Sequence, residues 1–359
     1  VYSCICGRPV FFRNSICLGC HKPLGYEPSL GSIFALEEGA EPGIWHLLGA
    51  GGGERRSYRQ CGNIASPSGC NWLTEPDDPT GLCLSCRLDR TIPNLENRSH
   101  GESWRRIEVA KRQLVSSLLL LGLPVVPKAQ DSAAGLAFDF LSDDGSGVMT
   151  GHEDGIITLN IAEADDVTRE GIREQLHEPY RTVLGHLRHE VGHYYWDRLV
   201  RDSHWLEGFR ELFGDERADY AEALQTHYRQ GPPPDWQERF VSAYASSHPW
   251  EDWAETWAHY LHIGDTLSTA ASFGLNVDTV DMTIEPFGDE DLCCPDAAYL
   301  NFANSWIRFT AVLNELSRSM GLQDFYPFVL SKSSIRKLHF VHRVVFAPRA
   351  IPELPTDRT

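Results

Sequence analysis

Three residues of one short segment carry the first chemical signal: His189, Glu190 and His193, in the string His189-Glu190-Val191-Gly192-His193. The segment lies inside an apolar run from Thr182 to Val200. On an α-helix, residues four apart stack on one face. Two imidazoles so placed can grip one Zn²⁺ and leave a position open for water, and Glu190 lies close enough to take a proton from that water. The chemistry is hydrolysis by zinc-activated water. Gly192 costs such a helix about 1 kcal/mol relative to Ala. A destabilising glycine inside the motif points to close approach of another backbone.

A catalytic zinc needs a third protein ligand. The best donor segment runs from His248 to Tyr260 and holds Glu251, Asp252 and Glu255. Pro249 suits a first helical turn, and Glu251 and Glu255 then share a face. One carboxylate can bind the metal while the other receives the N–H of a bound imidazole, which fixes its tautomer. Asp252 lies on an adjacent face and competes for the ligand role. Trp250, Trp253 and Trp257 argue against a solvated helix face, because three tryptophans cannot all face water.

Other candidates read as ordinary structure. His186, three residues before His189, is expected to be a polar helix residue. Asp215, Glu216 and Asp219 could offer a third ligand but suit capping of a following helix. Asp197 could bond a metal-bound histidine. His259 and His262 are expected to pack. His339 and His342 are expected on the polar face of a late helix, and Cys293-Cys294 as structural thiols.

Eight of the ten cysteines lie in the first 86 residues. Cys4, Cys6, Cys17 and Cys20 form one group; Cys61, Cys70, Cys83 and Cys86 form another. Close-spaced pairs present two thiolates to one metal, so two structural Cys4 zinc sites are expected. Sequential pairing is simplest, and interleaved pairing meets the same spacings. The rival disulfide framework needs an oxidising compartment, and no export signal supports one. The expected location is cytoplasmic. These sites replace a core too small to stand alone, and the ribbon they make could dock a protein partner.

Charge excludes one partner class. The chain of 359 residues has net charge −18, and residues beyond 100 carry 23 basic against 40 acidic side chains. Such a surface repels phosphate backbones, so no nucleic-acid partner is expected. Arg55, Arg56 and Arg59 form the only basic cluster. No apolar run approaches the ~20 residues of a membrane helix, and no membrane partner is expected.

The elements that must position these groups follow from periodicity. Residues 1–92 read as a zinc-ribbon domain, 91–103 as a linker and 104–348 as the catalytic domain. An amphipathic helix is predicted over 104–121, and strands over 136–141 and 156–161. Further helices are predicted over 168–176, 179–200, with Pro179 in its first turn, and 214–229, 235–246, 250–263, 296–319 and 331–346. The fold class is α+β, mainly α: a small sheet beside a helical bundle, with the ribbon in front.

These residues resemble known groups. The helix with His189-Glu190-x-x-His193, followed by a helix with Glu251-x-x-x-Glu255, resembles the gluzincin metallopeptidases. Glu251-Asp252-Trp253-Ala254-Glu255-Thr256-Trp257 is similar to the glutamate helix of anthrax-lethal-factor-like peptidases. The resemblance implies that Glu251 binds zinc and Glu255 supports His189. It also implies a tyrosine seven residues before the ligand glutamate. Tyr244 matches that offset and could donate to a tetrahedral oxyanion. A wider resemblance, from Cys4-x-Cys6-Gly7-x-Pro9-Val10-Phe11-Phe12 through Cys70-Asn71-Trp72-Leu73 and Phe213-Gly214-Asp215-Glu216-Arg217 to Phe325-Tyr326-Pro327-Phe328-Val329-Leu330, is to a bacterial family of zinc-binding metallopeptidases with an N-terminal zinc ribbon. It implies a zincin-like catalytic domain.

The expected activity is therefore peptide hydrolysis, with Glu190 as general base and a strand near 155–161 pairing with an extended peptide or protein substrate. Hydrolysis of a non-peptide amide, or a zinc-fold scaffold without turnover, are the competing readings. Glu190 separates them, since a scaffold has no need of it.

Overall fold

Three sheets and a set of helices, among the described residues, build around an apolar core that runs from Cys4 to Val345. The computed structural model describes residues 2–50, 56–143, 147–148, 150–165, 182–283 and 285–348. Arg55, the candidate helix 168–176 and Pro179 lie outside them.

The chain opens with the short antiparallel pair β1 (Tyr2–Ser3) and β2 (Pro9–Val10). A five-stranded antiparallel sheet follows, in the order β3 (Leu24–Glu27), β4 (Ser32–Glu38), β5 (Trp45–Leu48), β6 (Ser57–Gln60) and β7 (Leu73–Thr74). Tyr26 and Trp72 pack with ring centroids 4.8 Å apart beneath it. After α1 (Leu84–Arg87), strand β8 (Asp89–Thr91) leaves this region and pairs in parallel with β9 (Ala137–Leu141). Helix α2 (Arg98–Leu120) connects the two. It is capped by Asn97, which accepts from the Ser99 N–H, and it buries Trp104, Ile107, Leu114, Val115 and Leu118 at helical spacing.

The third sheet has the order β10 (Gly151–Glu153), β11 (Ile156–Asn160), β9, β8. β11 runs parallel to β9, and β10 runs antiparallel to β11. The strand predicted over 156–161 is thus an interior strand. The edge nearest the His189–His193 helix is β10, which the sequence reading did not contain.

The remaining elements are helical: α3 (Val183–Leu199), α4 (Leu206–Phe213), α5 (Tyr220–Gln230), α6 (Trp236–Arg239), α7 (Pro249–Ser272), α8 (Ala297–Ser319) and α9 (Lys332–Phe346). The α+β, mainly α class holds. The His189–His193 helix begins at Val183, where the Thr182 hydroxyl accepts from the Gly185 N–H. The helix predicted over 214–229 starts late, at Tyr220; Gly214, with a φ of 106°, instead ends α4, a helix that periodicity did not predict. Asp219 then caps α5. The helix predicted over 235–246 reduces to α6 and a 3₁₀ turn at Tyr244–Ser246. None of the described helices is long and apolar enough to cross a membrane.

Helices α3 and α7 pack closely at Gly192. A Cβ there would lie 3.1 Å from Ala254 Cα and 3.3 Å from its carbonyl oxygen, so the expected backbone approach is present. Trp253 Nε1 donates to the Gly192 carbonyl at 2.9 Å, and Trp253 and Trp257 are wholly buried. Gly192→Ala gains about 1 kcal/mol of helix propensity but overpacks a rigid seam at a cost of about 1–3 kcal/mol. A net loss of stability is expected, read as a lower urea midpoint with an unchanged slope.

Candidate metal centre

The α3–α7 seam sets His189 and His193 opposite Glu251. His189 Nε2 lies 2.9 Å from Glu251 Oε2, and His193 Nε2 lies 3.4 Å from Glu251 Oε1. The three residues offer ligand atoms within 4.8 Å of one another, and all three are buried. One turn along α7, Glu255 Oε1 takes the His189 Nδ1–H at 2.8 Å. Its other oxygen accepts from Ser242 Oγ at 2.5 Å.

The donor chemistry fits a zinc ion. With its one proton on Nδ1, a neutral His189 presents a lone pair at Nε2. That lone pair faces Glu251 Oε2, a buried atom with no hydrogen-bond donor among the described residues. Two acceptors 2.9 Å apart need a cation between them. Burial pushes the His189 imidazole down, but the facing Glu251 and Glu255 carboxylates lift it well above its ordinary value. Burial likewise opposes ionisation of Glu251, and the charge of His193 with hydrogen bonds from both imidazoles holds it well below the usual range. Imidazole nitrogen with carboxylate oxygen is a zinc donor set.

Asp252, the competing acid, turns away. It pairs with Lys337 of α9 at 2.5 Å in a buried contact. Burial raises its carboxyl to about 7 despite that partner. Asp215 and Glu216 pair with Arg217 and Arg210, and Asp197 with Arg201. His193 Nδ1 has no hydrogen-bond partner among the described residues, and Asp197 turns to Arg201 instead. Tyr244 lies against the His189 ring, with centroids 5.9 Å apart.

Three neighbours, Tyr220, Ser242 and His152, carry no signal in the sequence, and a fourth, His186, departs from its expected role. Tyr220 donates to Glu251 Oε1 at 2.7 Å. Ser242 holds Glu255. His152, on β10, stacks on the His193 ring at 6.4 Å. His186 is no plain polar helix residue: it lies between Glu163 and Glu190, with Nδ1 2.6 Å from Glu163 Oε2 and Nε2 3.3 Å from Glu190 Oε1. Its spacing of four before Glu190 was the available signal. His339 is also corrected, being buried against Tyr299 rather than solvated, while His342 bonds Tyr260 at 2.9 Å. His259 and His262 pack on Tyr326 as expected. Cys293 is half-buried and Cys294 exposed.

The N-terminal cysteines gather into two sets, Cys4, Cys6, Cys17 and Cys20, and Cys61, Cys70, Cys83 and Cys86. The sequential grouping is the one that forms. All ten cysteines are free. Backbone N–H groups of Cys20 and Gly19 lower the Cys17 thiol to about 6, which favours the metal-binding thiolate.

A family model described as "Putative zinc-binding metallo-peptidase" matches residues 100–344. The chain belongs to this family. A zinc-ribbon model matches residues 1–97 of this family member. Uncharacterised proteins of Mycobacterium bovis and of two strains of Mycobacterium tuberculosis are each 42% identical over 341 residues, covering 95% of this chain and 93% of theirs. No solved structure matches. Family and clusters together make this metallopeptidase relative a zinc-binding protein.

Glu251→Ala is expected to remove one zinc per chain by elemental analysis. Glu255→Ala should keep that zinc but weaken it about 10–100-fold in a chelator competition, because the His189 tautomer is no longer fixed. Equal zinc content in wild type and Glu251→Ala would falsify the assignment of the third ligand.

Proposed function

We propose that this chain is a zinc-dependent peptidase with a gluzincin-type centre. The carrying observation is the convergence of His189, His193 and Glu251 beside Glu190. His189, His193 and Glu251 hold the catalytic zinc, and Glu255 fixes His189. The two cysteine clusters, Cys4, Cys6, Cys17, Cys20 and Cys61, Cys70, Cys83, Cys86, hold one structural zinc each. Residues 1–92 form the ribbon and 104–348 the catalytic domain. Zinc held in the centre polarises a substrate carbonyl and makes water acidic near neutral pH.

Glu190 then does the proton work. Burial opposes its ionisation, but the His186 hydrogen bond and the charge of nearby imidazoles keep its carboxyl below the ordinary value. It is thus a carboxylate ready to take a proton from attacking water and deliver it to the leaving amine. Tyr244, whose ring lies against His189, donates to the oxyanion as it forms. The outer edge of β10, rather than β11, receives the extended peptide, since β10 is the terminal strand among the described residues and its His152 lies over His193. The substrates are peptides or proteins. The acidic body disfavours nucleic acid, and the ribbon is available to dock a protein partner.

Elemental analysis is expected to find three zinc ions per chain. Glu190→Gln should keep all three and lose about 10²–10⁴-fold in turnover of a fluorogenic peptide library. Wild-type turnover in that variant sinks the mechanism. A chelator such as 1,10-phenanthroline should abolish turnover, and added zinc should restore it.

A further inference from the structure

Behind Glu190 lies a buried run of hydrogen bonds that the hydrolytic steps do not use. His186 stands one turn before Glu190 on α3, with its two ring nitrogens on two carboxylates. Glu163 and Glu190 are both buried. Glu163 belongs to the 3₁₀ turn Ile161–Ala164 that follows β11 directly. Its Oε1 accepts from Thr150 Oγ1 at 2.5 Å. Thr150 immediately precedes β10, and its oxygen takes the Asn160 N–H at 3.1 Å from the end of β11. One side-chain series therefore ties the start of the edge strand to the Glu190 carboxylate.

We propose that Glu163 and His186 are a positioning pair that holds Glu190 in its water-facing pose. This inference rests on the proposed role of Glu190 as base. Glutamate has two methylenes and a freely turning carboxylate, so one unrestrained arm samples many poses. A donor from His186 on Oε1 removes that freedom and leaves Oε2 for the reacting proton. Glu163 fixes the imidazole in turn, through the shorter of its two bonds. His186 also meets the His189 ring edge-on, with centroids 6.4 Å apart, so zinc content is measured beside turnover to separate that contact from the one to Glu190. The same pair couples β10 to the base, so a peptide paired on that strand bears on the Glu190 pose.

The test uses the full zinc-loaded chain and the variants His186→Leu, His186→Gln and Glu163→Gln, with Glu190→Gln as reference. Zinc content should stay at the wild-type value in all four. Acetohydroxamate, which coordinates zinc and donates to the neighbouring carboxylate, should bind about tenfold more weakly to His186→Leu and to Glu190→Gln. His186→Gln keeps an N–H toward Glu190 and should recover much of that loss. With a peptide substrate, His186→Leu should lose about 10²-fold in kcat with KM nearly unchanged. Proton NMR should lose a hydrogen-bonded imidazole N–H signal in His186→Leu, and that signal should shift in Glu163→Gln. Equal hydroxamate affinity in wild type and His186→Leu overturns the proposal, as does loss of zinc from the variant or no hydroxamate binding to wild type. Weakened hydroxamate binding in a chain that cleaves no peptide sinks the peptidase reading and leaves the pair standing.

Discussion

The approach of α3 to α7 at Gly192 and Ala254 governs the geometry of everything around it. His189 and His193 flank Gly192 on one helix, and Glu251 and Glu255 flank Ala254 on the other. Helix–helix separation is set by side-chain bulk at the contact. A hydrogen on one side and a methyl on the other let the backbones close far enough for one carboxylate to meet two imidazoles. The Trp253 indole bond to the Gly192 carbonyl and the Trp257 stack on Tyr195, at 5.0 Å, keep that separation fixed.

Around this seam the protein buries charge in matched sets. Asp252 meets Lys337, Arg188 meets Asp265, and Lys111 meets both Asp89 and Glu108. An unpaired charge in such a place is costly, and a paired one fixes register more than it adds stability. The last set matters to the architecture. Lys111 comes from α2, while Asp89 comes from β8, three residues after Cys86. Arg112 donates to the Ser68 carbonyl at 3.0 Å, and Tyr26 bonds Ser116 at 2.5 Å. The ribbon is thus fastened to α2 by polar contacts across an otherwise apolar junction.

The centre was legible in the sequence where its parts are local. The four-residue spacings of His189 with His193 and of Glu251 with Glu255 translate directly into helix faces. The Gly192 close approach was readable because a helix tolerates glycine only for a reason. Spacing alone left Glu251 and Asp252 in competition and only the family resemblance favoured Glu251, since the pairing of Asp252 with Lys337, 85 residues away, has no local signal. Tyr220 and Ser242 reach the centre from outside its two helices and carry no spacing signal. Glu163 escaped for the same reason, and His186 was passed over because its partner was invisible. The ribbon strands are short and interrupted by glycine and proline, so alternation never accumulates. That Gly214 ends one helix rather than opening the next was readable from the residue itself.

Strand β8 belongs to one matched segment by sequence and to the other by pairing. It comes at the close of the segment matched by the ribbon model, yet its backbone partners β9 in the sheet whose opposite border is β10. β8, α2 and β9 make one parallel crossover unit that straddles the joint between the two matched segments. During synthesis, β8 leaves the ribosome with the cysteine clusters and must wait for α2 and β9 before its hydrogen bonds are met. Removing the ribbon as a module strips a border strand from the neighbouring sheet. The two segments are therefore coupled through one sheet, and exchange of the ribbon between proteins carries a structural penalty that a flexible tether does not impose.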